Sequence, residues 1–318
     1  MKAGVHPLRG YFYIAGAALF WGIAASLGRA AFTGRLLPGG ALRAIEPLIL
    51  SQSRATLSLI VLLPVLLWRW GWSGLRVPGR DLWRFFVLGV LGVAASNYLY
   101  YVAIQRTNVA IAIILQYTAP VWVLIYTAIR SARRPSSRRI VAVALAVLGC
   151  GFAVGLLGAR GLQLDTIGVA AAILAAFSFA FYNVGGHSVL ARYDRWKVLF
   201  WVLVGTSAFW LFVNPPWKIV AAQYGREQWL FMLVFSLVSV LGPFSCYFAG
   251  LQYLEPTRAI VASCLEPVFS IVIAAVVLGE LLRPVQTVGI VLVLVAIVLI
   301  QLPERAAREQ ELVVEPIE

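Results

Sequence analysis

The sequence predicts an all-α polytopic membrane protein with ten transmembrane helices, arranged as two inverted five-helix repeats. Of its 318 residues, 61% are hydrophobic and 12% are charged, about half the charged share of a soluble domain. Its apolar runs are long enough to cross a hydrocarbon core of roughly 30 Å. A pattern in the second half also repeats one in the first half. These three observations define the fold class.

Ten apolar runs follow one another along the chain, separated by turn residues or short basic segments. Each has about the length that a membrane-spanning helix needs. A single globular core is therefore not expected, because the apolar residues face lipid and neighbouring helices. The predicted spans are about Tyr11–Phe32, Pro47–Trp68, Trp83–Ile104, Val109–Ile129, Arg139–Leu157, Thr166–Leu190, Trp196–Val213, Trp229–Leu251, Ala259–Leu278 and Val285–Leu302.

The basic residues indicate topology rather than a nucleic-acid surface. The formal net charge is +13, but the basic residues form short clusters between apolar runs and not one patch. If the N-terminus is cytoplasmic, 17 of the 26 Lys and Arg residues lie on the cytoplasmic side. The positive-inside rule therefore predicts that both termini are cytoplasmic.

The chain reads as a tandem duplication with an offset of 147 residues. With that offset Tyr100 falls on Tyr247, and Pro120 falls on Pro267. We predict a first repeat at residues 1–160, a second at 161–303 and a disordered cytoplasmic tail at 304–318. Because each repeat has five spans, the second must enter the membrane inverted relative to the first, which is typical of secondary transporters with a site near the midplane.

Polar residues in the first repeat are candidates for a substrate site. Trp21 lies in the middle of the first span, where it either packs helices or forms a cavity wall. Arg54 lies about 10 Å deep in the second span, where it either snorkels and makes structural contacts or meets a substrate. Asn97, Tyr101 and Gln105 share one face of the third span. In lipid such a face must point at protein or water.

The fourth span adds Gln116, Tyr117 and Pro120 to this set. Pro120 and its counterpart Pro267 leave a backbone carbonyl without its helical partner. Both prolines are therefore candidate kinks or hinges. Tyrosines near them suit amphipathic or aromatic solutes, although an aromatic stripe also serves packing.

The second repeat contributes Tyr182 in the sixth span, Tyr247 in the eighth, and Ser263 and Glu266 in the ninth. Glu266 lies about 12 Å from the membrane edge, where a charge is costly and is retained for a function. It is either a protonated structural group or a titrating site that couples transport to an ion. We therefore list Glu266 as both a substrate-binding and a coupling residue.

Spans five, seven and ten carry few polar residues in their middles, which predicts a support ring around a central cavity. In the fifth span, Gly151 and Gly155 are four residues apart. Small residues at that spacing let two helices approach closely. We interpret this pair as a packing motif.

The sequence resembles the drug/metabolite transporter superfamily, in particular its ten-helix EamA-type exporters. The residues that carry the resemblance are Phe20-Trp21-Gly22, Ser53-Arg54, Asn97 to Ile104, Thr107-Asn108-Val109-Ala110, Leu265-Glu266-Pro267 and Leu278-Gly279-Glu280. The resemblance implies a bacterial inner-membrane protein that exports amino acids or other small metabolites by alternating access, often driven by protons. Ile23 departs from the family, which often carries Asn there, so no polar substrate contact is expected at that position.

Two other functions are to be weighed against an exporter. A channel or facilitator for small polar solutes would also have a polar cavity. A membrane-embedded enzyme would need paired carboxylates, a metal cluster or an activated nucleophile, whereas Asp81, Asp165 and Asp194 all lie in loops or at span ends. We expect no catalytic residue, metal or cofactor, and the partners to be a small-molecule substrate and the lipid bilayer. The oligomeric state is left open.

Overall fold

The computed structural model describes residues 7–33, 35–37, 40–41, 44–107, 109–131, 134–154, 165–278 and 283–302. The predicted tail at 304–318 and the packing residue Gly155 lie outside these ranges. The described helices are α1 (Pro7–Thr33), α2 (Pro47–Leu75), α3 (Gly79–Val87), α4 (Ala95–Arg106), α5 (Val109–Gln116), α6 (Ala119–Ser131), α7 (Ser137–Val154), α8 (Thr166–Leu190), α9 (Arg195–Val213), α10 (Pro216–Ala221), α11 (Arg226–Ser236), α12 (Gly242–Leu251), α13 (Pro256–Ser263), α14 (Leu265–Leu278) and α15 (Pro284–Gln301).

Within the described residues, ten helical segments are long and apolar enough to cross a membrane, which confirms the predicted number. Six of them are single helices: α1, α2, α7, α8, α9 and α15. The other four are pairs of helices in line: α3 with α4, α5 with α6, α11 with α12, and α13 with α14.

The interruptions in these four spans recur at the 147-residue offset. A π-helical segment, Leu88–Ala94, joins α3 to α4, and a second one, Leu237–Leu241, joins α11 to α12. The break between α5 and α6 follows Gln116, and the break between α13 and α14 follows Ser263. The backbone therefore repeats at the same positions that the sequence comparison aligned.

Helix packing follows the pattern of a two-fold relation between the repeats. The third span packs on the sixth through α4 and α8, and the eighth packs on the first through α12 and α1. Likewise α1 packs on α14, and α8 packs on α5 and α6. Each repeat therefore uses its partner's helices in the same way, as expected for inverted repeats that share one interface.

The fifth and tenth spans form a close pair on the outside of this arrangement. An added Cβ at Gly289 would lie 2.4 Å from the backbone nitrogen of Ala153, and one at Gly149 would lie 2.9 Å from the carbonyl oxygen of Gly289. The two backbones therefore touch, as small residues permit in membranes. The contact is made by Gly149, while the predicted Gly151 is buried in the same helix.

Contacts between loops join segments that the topology places on one membrane face. Arg139 forms an ion pair with Glu255 at 3.2 Å, and Arg138 donates to the carbonyl of Leu302. Tyr193 donates to Asp81 at 2.5 Å, and this hydrogen bond raises the pKa of Tyr193. These contacts join the third span to the sixth, and the fifth span to the eighth and the tenth.

Two loops contain more structure than the sequence indicated. The basic loop predicted from Arg69 begins as a continuation of α2 to Leu75, with a kink at Gly71, where φ is 63°. Glycine adopts that left-handed conformation without a steric penalty, so the helix bends there. In the loop after α1, Arg35–Leu37 and Gly40–Ala41 form a short antiparallel pair.

Candidate functional site

Arg54 of α2 is held by Asn97 of α4 inside the helical bundle. A guanidinium nitrogen of Arg54 donates to the amide oxygen of Asn97. The Asn97 amide nitrogen donates to the carbonyl of Val93 at 2.8 Å, which lies in the first π-helical segment. The third span thus fixes the Asn97 oxygen, and Asn97 in turn orients the arginine.

Glu266 lies on the opposite side of the same region, in the first turn of α14. The Tyr117 hydroxyl is within hydrogen-bonding reach of its carboxyl group, and the charges of Arg54 and Glu266 are close enough to interact. Arg54 and Glu266 form no ion pair within 4.0 Å in the described part of the chain. The cation belongs to the first predicted repeat and the carboxyl group to the second.

The broken helices place these side chains. At the first break, Thr118 donates its hydroxyl to the carbonyl of Leu115 at 2.6 Å. At the second, Ser263 donates to the carbonyl of Ile260 at 2.8 Å. Irregular backbone at membrane depth is tolerated when such partners satisfy its polar groups. Pro120 and Pro267, both buried, follow the two breaks, as residues that cannot supply the missing N–H.

An aromatic cluster around Trp21 adjoins the charged residues. Trp21 meets Phe179, Phe244 and Tyr247 at ring-centroid distances of 6.3, 5.7 and 5.4 Å. The next residue, Gly22, packs directly on the backbone of α14, because an added Cβ there would lie 3.3 Å from the carbonyl oxygen of Glu266. The aromatic cluster around Trp21 therefore lies next to the turn of α14 that carries Glu266.

Tyr247 of this aromatic cluster also belongs to a fully buried cluster of polar residues, with Tyr182 and Asn183. Asn183 of α8 donates to the hydroxyl of Tyr247 in α12, and the Ser263 side chain also reaches that hydroxyl. Tyr182 stacks on Tyr247 at 6.2 Å. Tyr182, Asn183 and Tyr247 are at most 1% exposed, so this group braces the site from behind in this conformation.

The structure brings several of the predicted residues into pairs: Arg54 with Asn97, Tyr117 with Glu266, and Trp21, Tyr182 and Ser263 with Tyr247. Arg54, Asn97, Gln116, Tyr117 and Glu266 are half-buried. Tyr101, Tyr182, Tyr247 and Ser263 are buried, while Trp21 is half-buried beside them.

Tyr100 is a site residue that the sequence analysis did not select. It is half-buried, and the charges of both Glu266 and Arg54 act on its hydroxyl. Its neighbour Tyr101, selected for its four-residue spacing from Asn97, is 9% exposed. The repeat alignment pairs Tyr100 with Tyr247, which was selected. Tyr100 could therefore have been selected from the duplication, although helical spacing pointed to Tyr101.

The geometry can hold a small solute with charges of both signs. A guanidinium binds a carboxylate through two parallel hydrogen bonds, and a carboxylate opposite it can accept from an ammonium group. Polar side chains and broken helices near the midplane, drawn from two repeats, define a secondary-transporter type of membrane protein. This is the class to which fold and site point.

Comparison with known proteins agrees with that class. The EamA-like transporter family matches the chain twice, at residues 8–155 and 166–302. The chain therefore belongs to the EamA-like transporter family. Its fold also matches a solved crystal structure with a TM-score of 0.72 and 19% identity, which covers 94% of this chain and 98% of that one.

Curated relatives carry transporter names. The uncharacterized inner membrane transporter YicL of Salmonella typhimurium is 24% identical over 229 residues, which are 71% of this chain and 75% of that protein. The threonine/homoserine exporter RhtA of Escherichia coli K12 is 30% identical over 206 residues, 63% of this chain and 65% of that protein. An uncharacterized transporter of Archaeoglobus fulgidus is 27% identical over 214 residues, 66% of this chain and 75% of that protein.

Proposed function

We propose that this protein exports amino acids or related small zwitterionic metabolites by alternating access through the space between its two repeats. The observation that carries the proposal is the placement of Arg54 and Glu266. One belongs to each repeat, they are half-buried, and no ion pair joins them among the described residues. A zwitterion placed between them satisfies both.

Each side chain has a defined role in this proposal. Arg54, held by Asn97, binds the solute carboxylate. Glu266, within reach of Tyr117, accepts from the solute ammonium group. The half-buried ring of Trp21 contacts the solute's apolar side chain. The name of the relative RhtA supports amino acids as the solute class.

Alternating access requires that the site open to each face in turn. The breaks before Pro120 and Pro267 lie beside the site and lack continuous helical hydrogen bonds. We propose that these two breaks act as hinges. Repeats at 1–160 and 161–303 then rock against each other while α7 and α15 hold together through Gly149 and Gly289.

Glu266 also serves as the coupling group in this proposal. A carboxyl group that exchanges its proton only when the site faces one side of the membrane ties solute movement to the proton gradient. When the solute leaves, a proton replaces its ammonium group at Glu266. Uphill export then follows the inward proton gradient.

The experiment that tests the proposed function is an efflux and growth-tolerance screen of amino acids and dipeptides in cells that overproduce the protein. A hit is then measured by counterflow in proteoliposomes. Saturable counterflow of labelled solute identifies a carrier. Flux that neither saturates nor shows counterflow would identify a channel, and chemical conversion of the solute would identify an enzyme.

We also propose a bacterial inner-membrane location with both termini in the cytoplasm. Reporter tags after Met1 and after Glu318 are expected to give the same cytoplasmic signal. Tags that report opposite sides would require an odd number of spans. That result would contradict the inverted-repeat architecture.

A further inference from the structure

A second cleft lies away from the central site, on the membrane face where α1 begins. Its volume is about 440 Å³, and Arg9, Phe12, Tyr13 and Tyr253 line it. Tyr13 and Tyr253 stack with their ring centroids 6.1 Å apart. The guanidinium of Arg195, the first residue of α9, lies 5.9 Å from the centre of the Tyr13 ring. Three separate segments of the chain therefore meet here.

Arg9 lines this cleft and Arg195 lies against the ring of Tyr13, so two positive charges lie at this place. Arg9 is exposed and Arg195 is half-buried, and neither forms an ion pair with any described residue. Nearby carboxylates have other partners: Glu255 pairs with Arg139, and Asp194 accepts from the backbone N–H of Trp196. The cleft thus presents positive charge to an incoming anion.

The outer side of the cleft is apolar and faces lipid. Phe12 is 78% exposed and Leu8 is 66% exposed. Both belong to the first turns of a membrane-spanning helix. Next to the cleft, α1 packs closely on the segment that carries Tyr253, since an added Cβ at Gly10 would lie 2.6 Å from the Leu254 side chain. A basic cleft with an apolar rim at the edge of the bilayer suits a molecule with an anionic head and acyl chains.

We propose that this cleft binds the head group of an anionic phospholipid. Arg9 and Arg195 contact the phosphate, Tyr13 and Tyr253 lie beside the glycerol region, and Phe12 and Leu8 contact the acyl chains. Basic pockets between transmembrane helices recognise anionic head groups in this way. The bound lipid joins α1 to the start of α9 and to the turn before α13, so it stabilises the arrangement of the repeats on this face.

The test is native mass spectrometry of the detergent-solubilised protein with phosphatidylglycerol or phosphatidylcholine. Phosphatidylglycerol is expected to bind at least tenfold more tightly to the wild-type protein. The variant Arg9→Gln/Arg195→Gln should lose about fivefold in affinity for each arginine removed. Arg9→Lys/Arg195→Lys should retain most of the preference, and Phe12→Ala should weaken binding of both lipids. The control is Arg226→Gln, an exposed arginine at the start of α11 on the opposite face.

Each alternative result overturns the proposal. Equal affinity for the two lipids would show that the arginines do not select an anionic head group. An unchanged preference in the double Gln variant, or a loss in Arg226→Gln as large as in the double Gln variant, would place the lipid elsewhere. Displacement of phosphatidylglycerol by millimolar glycerol phosphate would identify a site for a free phosphate ester. Because the readout is lipid binding, the result is independent of the proposed export activity.

Discussion

The two broken helices have equivalent backbones but carry different chemistry. In the first repeat the residue before the proline is Ala119, and in the second it is Glu266, which occupies the same place at the 147-residue offset. Ala119 is 1% exposed, whereas Glu266 is half-buried and faces Tyr117. The duplicated scaffold therefore supplies two identical positions near the midplane, and only one of them carries a charge.

Tyr100 and Tyr247, which occupy equivalent positions in the two repeats, also differ in burial. Tyr100 is half-buried beside Arg54 and Glu266. Tyr247, its equivalent, is fully buried and bonded to Asn183. Tyr100 is therefore half-buried near the two charged residues, whereas Tyr247 is fully buried in the aromatic cluster beside Asn183.

This comparison teaches that backbone symmetry and site asymmetry coexist. Symmetry gives two helix breaks and two equivalent interfaces, which the proposed alternating access requires. Asymmetry gives one cation and one carboxyl group, which a zwitterionic solute requires. Variants of Arg54 and Glu266, which differ between the repeats, should therefore affect transport. Variants of residues in the packing that the repeats share should affect stability.

The largest effect is expected for Glu266→Gln, which keeps the shape and hydrogen bonding but cannot titrate. We expect loss of pH-driven uphill efflux from proteoliposomes, with counterflow of labelled solute retained. The matched control is Glu255→Gln, a loop carboxylate that is 55% exposed. Full pH-driven accumulation by Glu266→Gln would show that the carboxylate is structural.

The next largest effect is expected for Arg54→Lys. Lysine keeps the positive charge but loses the planar fork that binds a carboxylate through two hydrogen bonds. We expect KM for carboxylate-bearing solutes to rise about tenfold, which is about 1.4 kcal/mol. Transport measured across a concentration series checks this. An unchanged KM would remove Arg54 from the solute contacts.

Labelling of the paired tyrosines should differ by several-fold. Tyr100→Cys is expected to react with a water-soluble thiol reagent, because Tyr100 lies beside the proposed solute site. Tyr247→Cys should react more slowly, and Val293→Cys, on the buried face of α15, should not react. Saturating solute should protect Tyr100→Cys. Equal rates at all three positions would contradict the central cavity.

The smallest effect on transport is expected in the symmetric support pair. Gly289→Ala forces a Cβ against the backbone of α7, and overpacking of this kind costs about 1–3 kcal/mol. We expect a Tm lower by several degrees in detergent. Gly79→Ala is the control, because an added Cβ there meets nothing within 4 Å. Equal Tm values for both variants would show that α7 and α15 are not tightly packed at Gly289.

The sequence was sufficient for the features that hydrophobicity and duplication encode. The number of spans and the offset of 147 residues followed from apolar length and a few identities. The π-helical segments did not, because the two glycines of the first segment, Gly89 and Gly92, also fit close packing against neighbouring helices and do not by themselves indicate a π-helix. The sequence analysis selected Gly151 and Gly155 because they match a G-x-x-x-G pattern. It did not select Gly149 and Ala153, which have the same spacing and contact Gly289 of α15.

The charged residues of the candidate site could be selected from the sequence, but the residues that contact them could be selected only in part. Arg54 and Glu266 stood out because charges at membrane depth are costly. Their partners Asn97 and Tyr117 were also selected, but Tyr100 was not. Helical spacing cannot decide which of two adjacent tyrosines faces a cavity when the helix is locally π-helical just before them.

The central claim is that one solute is held between Arg54 and Glu266, and one competition measurement tests it directly. Inhibition constants are determined for the transported amino acid and for its carboxamide, which lacks the negative charge, in wild-type protein and in Arg54→Gln. Wild-type protein should prefer the amino acid by at least tenfold, and Arg54→Gln should lose that preference while binding the carboxamide about as well as before. If Arg54→Gln retains the full preference for the carboxylate, the solute does not bind between Arg54 and Glu266 as proposed.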